Sequence, residues 1–193
     1  MRSILAIFTV ILFSFSALAQ GDGLEWHTDL MKVNEISQKT GKPIFGFFTG
    51  SDWCGWCHKL EHDVFAKPAF IKWAKENVVL LELDFPRRKQ LPPELVQQNN
   101  SLQQAFQVQG YPTIWYFSVT PDPATGKMNI NAYGNQGYPA GAPNGREDEV
   151  FLASANDILA KAKADLSNKK AATQPASTTA KTSSTTKAKT KKK

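Results

Sequence analysis

Cysteine is the scarcest informative residue in this chain. Only Cys54 and Cys57 occur among 193 residues, three positions apart. A disulfide between them closes a loop too short to constrain the unfolded chain much, so a purely structural bridge has little to contribute. The common structural zinc spacings draw ligands from two separate segments, and there is no second cysteine segment here. Long apolar runs are missing beyond the first residues, so no later stretch reads as a membrane span. An excess of positive charge is missing from the centre of the chain as well. Lys and Arg number 23 against 17 acids, but residues 20–166 carry 14 of the basic residues and all of the acids. A mildly acidic globule of this kind is not a nucleic-acid-binding surface.

The two ends differ from the middle. Arg2, the apolar run Ile4 to Phe15 and Ala17-Leu18-Ala19 have the order of a signal peptide, residues 1–19, with the mature chain starting at Gln20. An uncleaved N-terminal anchor is the alternative. No cysteine follows the cut, so no lipoprotein signal is visible. The expected location is periplasmic or secreted, where a disulfide pair persists. Residues 167–193 hold eight lysines and no acid, no aromatic residue and no Val, Leu, Ile or Met. Such a tail cannot bury enough apolar surface to offset its ordering entropy and is expected to be disordered. It either solubilises passively or is drawn to an anionic envelope surface. Between the ends, residues 20–166 are the right length for one domain.

The cysteines lie in Thr49-Gly50-Ser51-Asp52-Trp53-Cys54-Gly55-Trp56-Cys57-His58, preceded by the apolar run Ile44 to Phe48 and followed by the helix-like run Lys59 to Phe65. A buried strand thus delivers two thiols to the first turn of a helix. Residues i and i+3 share a helix face, so the sulfurs can reach bonding distance. Cys54 at the helix N-terminus gains from free N–H groups and the dipole, which bring a thiol pKa into roughly the 3.5–7.5 range. Cys57, one turn deeper, is placed to resolve a mixed disulfide on Cys54. This redox dithiol fits the context best. Two other uses of the string stay open: Cys-x-x-Cys-His as a c-type haem attachment, with Met31 or Met128 as a distal ligand, and zinc on Cys54, Cys57, His58 and His62.

Around the motif the pattern alternates strand and helix. Leu24-Glu25-Trp26 reads as a short first strand and His27 as a surface residue. Asp29 caps a helix to about Lys39 with Leu30, Val33 and Ile36 inward, and Gly41 stops it. Lys67-Pro68 breaks the helix after the cysteines, and Ala69 to Glu76 continues it. Val78 to Phe85 reads as a buried central strand, closing a βαβ unit. The basic loop Pro86-Arg87-Arg88-Lys89 is either a solvated turn or a contact for an acidic partner. Pro93 to Phe106 forms a helix with Leu95, Leu102 and Phe106 inward. Tyr111-Pro112-Thr113 opens the strand Ile114 to Phe117, and a cis Tyr111–Pro112 bond fits that turn. Met128 to Tyr133 pairs with it as a hairpin. Gly134 to Gly145 is a long Gly-, Pro- and Asn-rich loop, either a mobile loop near the cysteines or a plain surface excursion. Asp148-Glu149 opens a last helix with Val150, Phe151, Ile158 and Leu159 apolar.

With Trp-Cys-x-x-Cys at a strand-to-helix junction and Tyr-Pro-Thr before a later strand, residues 24–163 resemble the thioredoxin superfamily. The Phe-Thr-Gly-Ser-Asp-Trp-Cys-x-Trp-Cys form is most similar to bacterial exported thioredoxin-like proteins. The resemblance implies an α/β fold with a central mixed β-sheet flanked by helices. It implies that Cys54 attacks, Cys57 resolves and a cis Pro112 faces them. Trp53 and Tyr111, with Gly55 and Trp56 between the cysteines, would shape the substrate groove. One departure concerns the buried aspartate that thioredoxin has six residues before its first cysteine; Phe48 stands there, leaving Asp52, Glu61 or water for its task. Gly55-Trp56 also differs from thioredoxin's Gly-Pro. The dipeptide lacks the histidine of oxidant-like and isomerase-like relatives, which leans the reading towards a protein disulfide reductase.

The resemblance thus implies thiol–disulfide exchange on exported proteins, with no nucleotide or metal cofactor and with electrons from a membrane thiol transporter. The rivals are the haem electron carrier and a redox-inactive module whose groove holds peptide.

Overall fold

The computed structural model describes residues 23–122, 124–125 and 128–173. The signal-peptide reading and most of the tail, from residue 174 on, lie outside the described residues.

Five strands form one mixed sheet: β1 (Trp26–His27), β2 (Ile44–Thr49), β3 (Val79–Asp84), β4 (Thr113–Pro121) and β5 (Met128–Gln136), in the order β1-β3-β2-β4-β5. The strand that leads into the cysteines is the middle one. It runs parallel to β3, with Phe47 opposite Glu82, and antiparallel to β4, with Phe48 opposite Thr113. All six residues of β2 are buried, which explains why it reads as a continuous apolar run rather than an alternating one.

Helices cover both faces. On one, Phe45, Phe47, Leu80, Ile114 and Tyr116 meet α2 (Gly55–Leu60), α3 (Pro68–Asn77) and α5 (Glu147–Thr173) through Leu60, Phe70, Trp73 and Phe151. Cys54 and Cys57 belong to this cluster. Phe45 is its hub, with the rings of Trp26, Phe65, Phe70, Trp73, Tyr116 and Phe151 around it at centroid distances of 5.2–6.4 Å. On the other face, Ile44, Phe48, Leu81, Leu83, Phe117 and Val119 meet α1 (Leu30–Thr40) and α4 (Pro93–Ala105) through Val33 and Leu102, and Phe106 just past α4.

The local signals behave as their chemistry requires. The Asp29 carboxylate accepts from Met31 N at 2.7 Å and Lys32 N at 3.2 Å, and Gly41 ends α1 with φ +70°. The Tyr111–Pro112 bond is cis. The hairpin of β4 and β5 forms as the alternation predicts and extends to Gln136.

Other expectations need correction. The first strand lies later than Leu24-Glu25-Trp26, and its His27 is only 8% exposed rather than a surface residue, because pairing with Leu81 of β3 draws it under the sheet edge. After α2 the chain does not stay α-helical: Glu61–Phe65 form a π-helical turn, whose wider winding still buries Val64 and Phe65. Leu95 is only partly covered and Val150 is 41% exposed, while Asn99 is buried, its Nδ2 donating to the Asp84 carbonyl at 2.9 Å. The last helix runs to Thr173, past residue 166.

Candidate active site

The β2 strand ends at Thr49 and the chain turns at Gly50, whose carbonyl accepts from Trp53 N and Cys54 N at 3.1 and 2.8 Å. This turn sets Cys54 at the N-cap of α2. Cys54 is 5% exposed and Cys57 fully buried, and the two sulfurs form a disulfide with their Cα atoms 5.2 Å apart. The Cys57 backbone N–H donates to Cys54 Sγ at 3.2 Å, so the attacking sulfur of the sequence reading carries a hydrogen-bond donor of its own helix.

Trp53 is fixed from three sides. Its Nε1 donates to the Phe85 carbonyl at 2.8 Å, its ring meets Tyr111 edge-on at 5.7 Å, and the Arg87 guanidinium lies 3.8 Å from its centroid. Tyr111 lies against Phe85 in a tilted pair at 5.3 Å and its hydroxyl accepts from Gln103 Nε2 at 2.6 Å; burial pushes its phenol pKa up. The register that pairs Phe48 with Thr113 puts the Tyr111–Pro112 turn at the same sheet end as Gly50 and the cysteines. Gly137 lies against this turn, where a Cβ would stand 3.2 Å from the Pro112 carbonyl. Gly55 opens onto free space. Trp56 is 57% exposed and its ring meets Tyr138 at 5.2 Å. The fold therefore brings Trp53, Cys54, Gly55, Trp56, Cys57, Tyr111 and Pro112 to one end of the sheet.

One group near the cysteines has no counterpart in the sequence expectations. Tyr138, from the long loop after β5, donates to Asp63 Oδ2 at 2.7 Å and lies under the Lys59 ammonium. Lys59 first, then His62 and Tyr138, hold the Asp63 carboxyl far below its usual range. Tyr138 is thus anchored beside Trp56, where a mobile loop was expected, and Gly134 to Gln136 belong to β5; only its Gly- and Pro-rich composition marked the segment. Asp52 is one of the groups expected to take over the missing aspartate's task. Its carboxylate instead gathers the backbone N–H groups of Arg87, Arg88 and Lys89 at 2.7–3.3 Å, and those bonds, Arg87 first, hold its carboxyl below the usual range.

The position of the buried acid is also corrected. Phe48 packs on Phe85 and Phe106, on the sheet face away from the cysteines. Phe47 is the residue on the cysteine face, and its cross-strand neighbour is Glu82. Glu82 and Glu61 share a cavity of about 460 Å³ with Trp26, Phe47, Ser51 and Phe65, and burial raises both carboxyl pKa values. The acids of the cysteine face thus come from β3 and the π-helical turn.

The haem and zinc readings find less support in the geometry. The sulfurs are bonded to each other, His58 Nε2 is 2.9 Å from the Ser51 carbonyl, and His62 Nδ1 is 2.9 Å from Asp63. Among the described residues no three His, Cys, Asp or Glu side chains gather as a metal-ligand group.

Residues 32–129 match the family described as thioredoxin-like domain. The chain belongs to the thioredoxin-like family. Within it, the disulfide bond reductase DsbH of Chlamydia pneumoniae is 35% identical over 96 residues, 50% of this chain and 57% of that protein. The thioredoxin-related protein DsbJ of the same organism is 30% identical over 91 residues, 47% of this chain and 26% of that protein. The chain therefore spans little more than half of the first relative and about a quarter of the second. A solved structure titled DsbH Oxidoreductase superposes with a TM-score of 0.57 at 28% identity, covering 70% of this chain and 84% of that one. The thioredoxin-like disulfide pair at Cys54 and Cys57 stands on a sheet of the expected architecture.

Proposed function

We propose that this thioredoxin-like chain is a thiol–disulfide oxidoreductase that reduces disulfides of exported proteins. The observation that carries the reading is the Cys54–Cys57 disulfide at the start of α2, with Cys54 slightly open to solvent, Cys57 buried behind it and the Cys57 N–H aimed at Cys54 Sγ. The name of the 35%-identical relative supports the direction.

In the reduced protein the Cys57 N–H and the helix N-terminus favour a thiolate on Cys54. Cys54 Sγ attacks one sulfur of the substrate cystine. A Cys54–substrate disulfide forms, the substrate S–S bond breaks, and the departing substrate thiolate takes a proton from solvent. Cys57 then attacks Cys54 Sγ, forming the intramolecular bond and releasing the second substrate thiolate. Its own proton passes to Glu61, one helical turn beyond it, or to Glu82, the half-buried carboxyls of the cysteine face. The second substrate thiolate also takes a proton from solvent, so the substrate gains two electrons from the dithiol and two protons, balanced by the proton Cys54 gave to solvent on ionising and the Cys57 proton that the carboxylate passes on to solvent. A dithiol donor, assigned to the membrane by the family resemblance, restores the pair. Trp53, Tyr111 and Pro112 form one wall of the groove, and Gly55, Trp56 and Tyr138 the other.

The direction is tested by alkylating the protein with a mass tag in its native compartment. A pair found mostly reduced is expected of a reductase supplied with electrons. A pair found mostly oxidised, in cells whose donor is intact, overturns the reductase direction.

A further inference from the structure

The loop after β3 is basic, and the Asp52 carboxylate beside it feels the charge of Arg88 without forming an ion pair with either arginine. Asp52, two residues before Cys54, uses both carboxylate oxygens on the loop's backbone N–H groups rather than on its side chains. Lys89 is paired with the buried Asp84 at 2.8 Å. Arg87 and Arg88 are both exposed, and neither enters an ion pair among the described residues. Arg87 is not free to wander, because its guanidinium lies on the ring of Trp53, the residue next to Cys54.

This arrangement has a definite chemistry. A guanidinium stacked on an indole is held by its face, which leaves its N–H edge available. That edge matches a carboxylate in bidentate geometry. The Asp52 clamp fixes the loop backbone, so the cation stands over Trp53, the chain neighbour of Cys54, before any substrate arrives. We propose that Arg87 and Arg88 form an anion-accepting rim that selects polypeptide substrates with Asp or Glu next to the disulfide. The inference rests on the exchange reading above and adds the substrate class to it.

The test uses three synthetic cystine peptides that differ only in the residues flanking one cysteine: Glu, Gln or Lys. The protein is kept reduced by excess dithiothreitol, whose direct reaction with each peptide is subtracted, and kcat and KM are measured at low salt and in 0.5 M NaCl. The expected result is a KM about five-fold lower for the Glu peptide than for the Gln peptide, the size of exposed ion pairs, with the Lys peptide weakest. The Glu-to-Gln ratio falls towards one in high salt and in the Arg87→Gln, Arg88→Gln double variant, where the Gln peptide serves as that variant's own reference. Equal KM values for all three peptides with the unmodified protein overturn the rim. Exchange with none of the three overturns the oxidoreductase reading, and the rim with it.

Discussion

A Cβ on Gly50 would stand 2.4 Å from the ring of Trp53. The turn between β2 and the cysteines closes only because residue 50 has no side chain. Gly50→Ala therefore pushes the indole off its Phe85 carbonyl and away from Tyr111. Overpacking of this kind costs about 1–3 kcal/mol. The expected result is a lower urea midpoint with an unchanged slope, together with slower exchange if the displaced ring is the proposed wall of the groove. An alanine variant as stable and as active as the parent contradicts this account of the turn.

Phe45 sits at the hub of the aromatic cluster beneath the disulfide and is fully buried. Phe45→Ala leaves a cavity among six rings and is expected to cost about 3–5 kcal/mol in equilibrium denaturation. Phe48→Ala opens its cavity on the other face. The contrast is read in exchange kinetics: at conditions where both variants are folded, Phe45→Ala alters exchange more, because only Phe45 shares a cluster with Cys54 and Cys57.

Tyr138 is held by two ring contacts and one hydrogen bond, which can be separated. Tyr138→Phe keeps the ring against Trp56 and under Lys59 and loses the hydrogen bond to Asp63; Tyr138→Ala loses all three. The first is expected to lower stability by about 1 kcal/mol or less, as for one partly exposed hydrogen bond. The second is expected to raise KM for protein disulfides several-fold with kcat nearly kept, because the groove loses part of a wall and not a reacting group. Steady-state kinetics on both variants check the order.

Glu82 gives a pH signature. Burial first, then the charge of Asp84, raises its carboxyl pKa in the folded protein. The folded state then binds this proton more tightly than the unfolded chain does. Stability from this group is present below the ordinary carboxyl value of about 4.3 and is lost as pH rises through the folded value. Glu82→Gln removes that penalty. Its Tm is expected to exceed the parent's at pH 7.5, by about 1 kcal/mol or less of stability because the site is partly open, and to match it near pH 4. An equal difference at both pH values contradicts the assignment.

The parts of this site that follow from neighbours in the chain were legible in the sequence. The dithiol helix, the Asp29 cap, Gly41 and the Tyr111–Pro112 turn each depend on a short string of residues. What depends on pairing across the fold was not. Counting back six residues from Cys54 reaches Phe48, yet the cysteine face belongs to Phe47. Successive residues of a strand point to opposite faces, so an offset of one reverses the assignment. His27 was misread because its burial comes from β3, more than fifty residues away. Tyr138 and Arg87 have no motif of their own; they reach the site through an anchored loop and through a carboxylate that binds backbone.

The central claim is that Cys54 attacks and Cys57 resolves. It is tested most directly by mixing the reduced protein with a folded disulfide-bonded substrate, quenching with acid and counting free thiols with a mass tag. The unmodified chain is expected to deliver two electrons to each substrate disulfide and to end as the Cys54–Cys57 disulfide. Cys57→Ser is expected to stop as a mixed disulfide through Cys54, and Cys54→Ser to leave the substrate oxidised. Substrate reduction by Cys54→Ser at the rate of the unmodified chain, or no covalent complex with Cys57→Ser, would contradict the account.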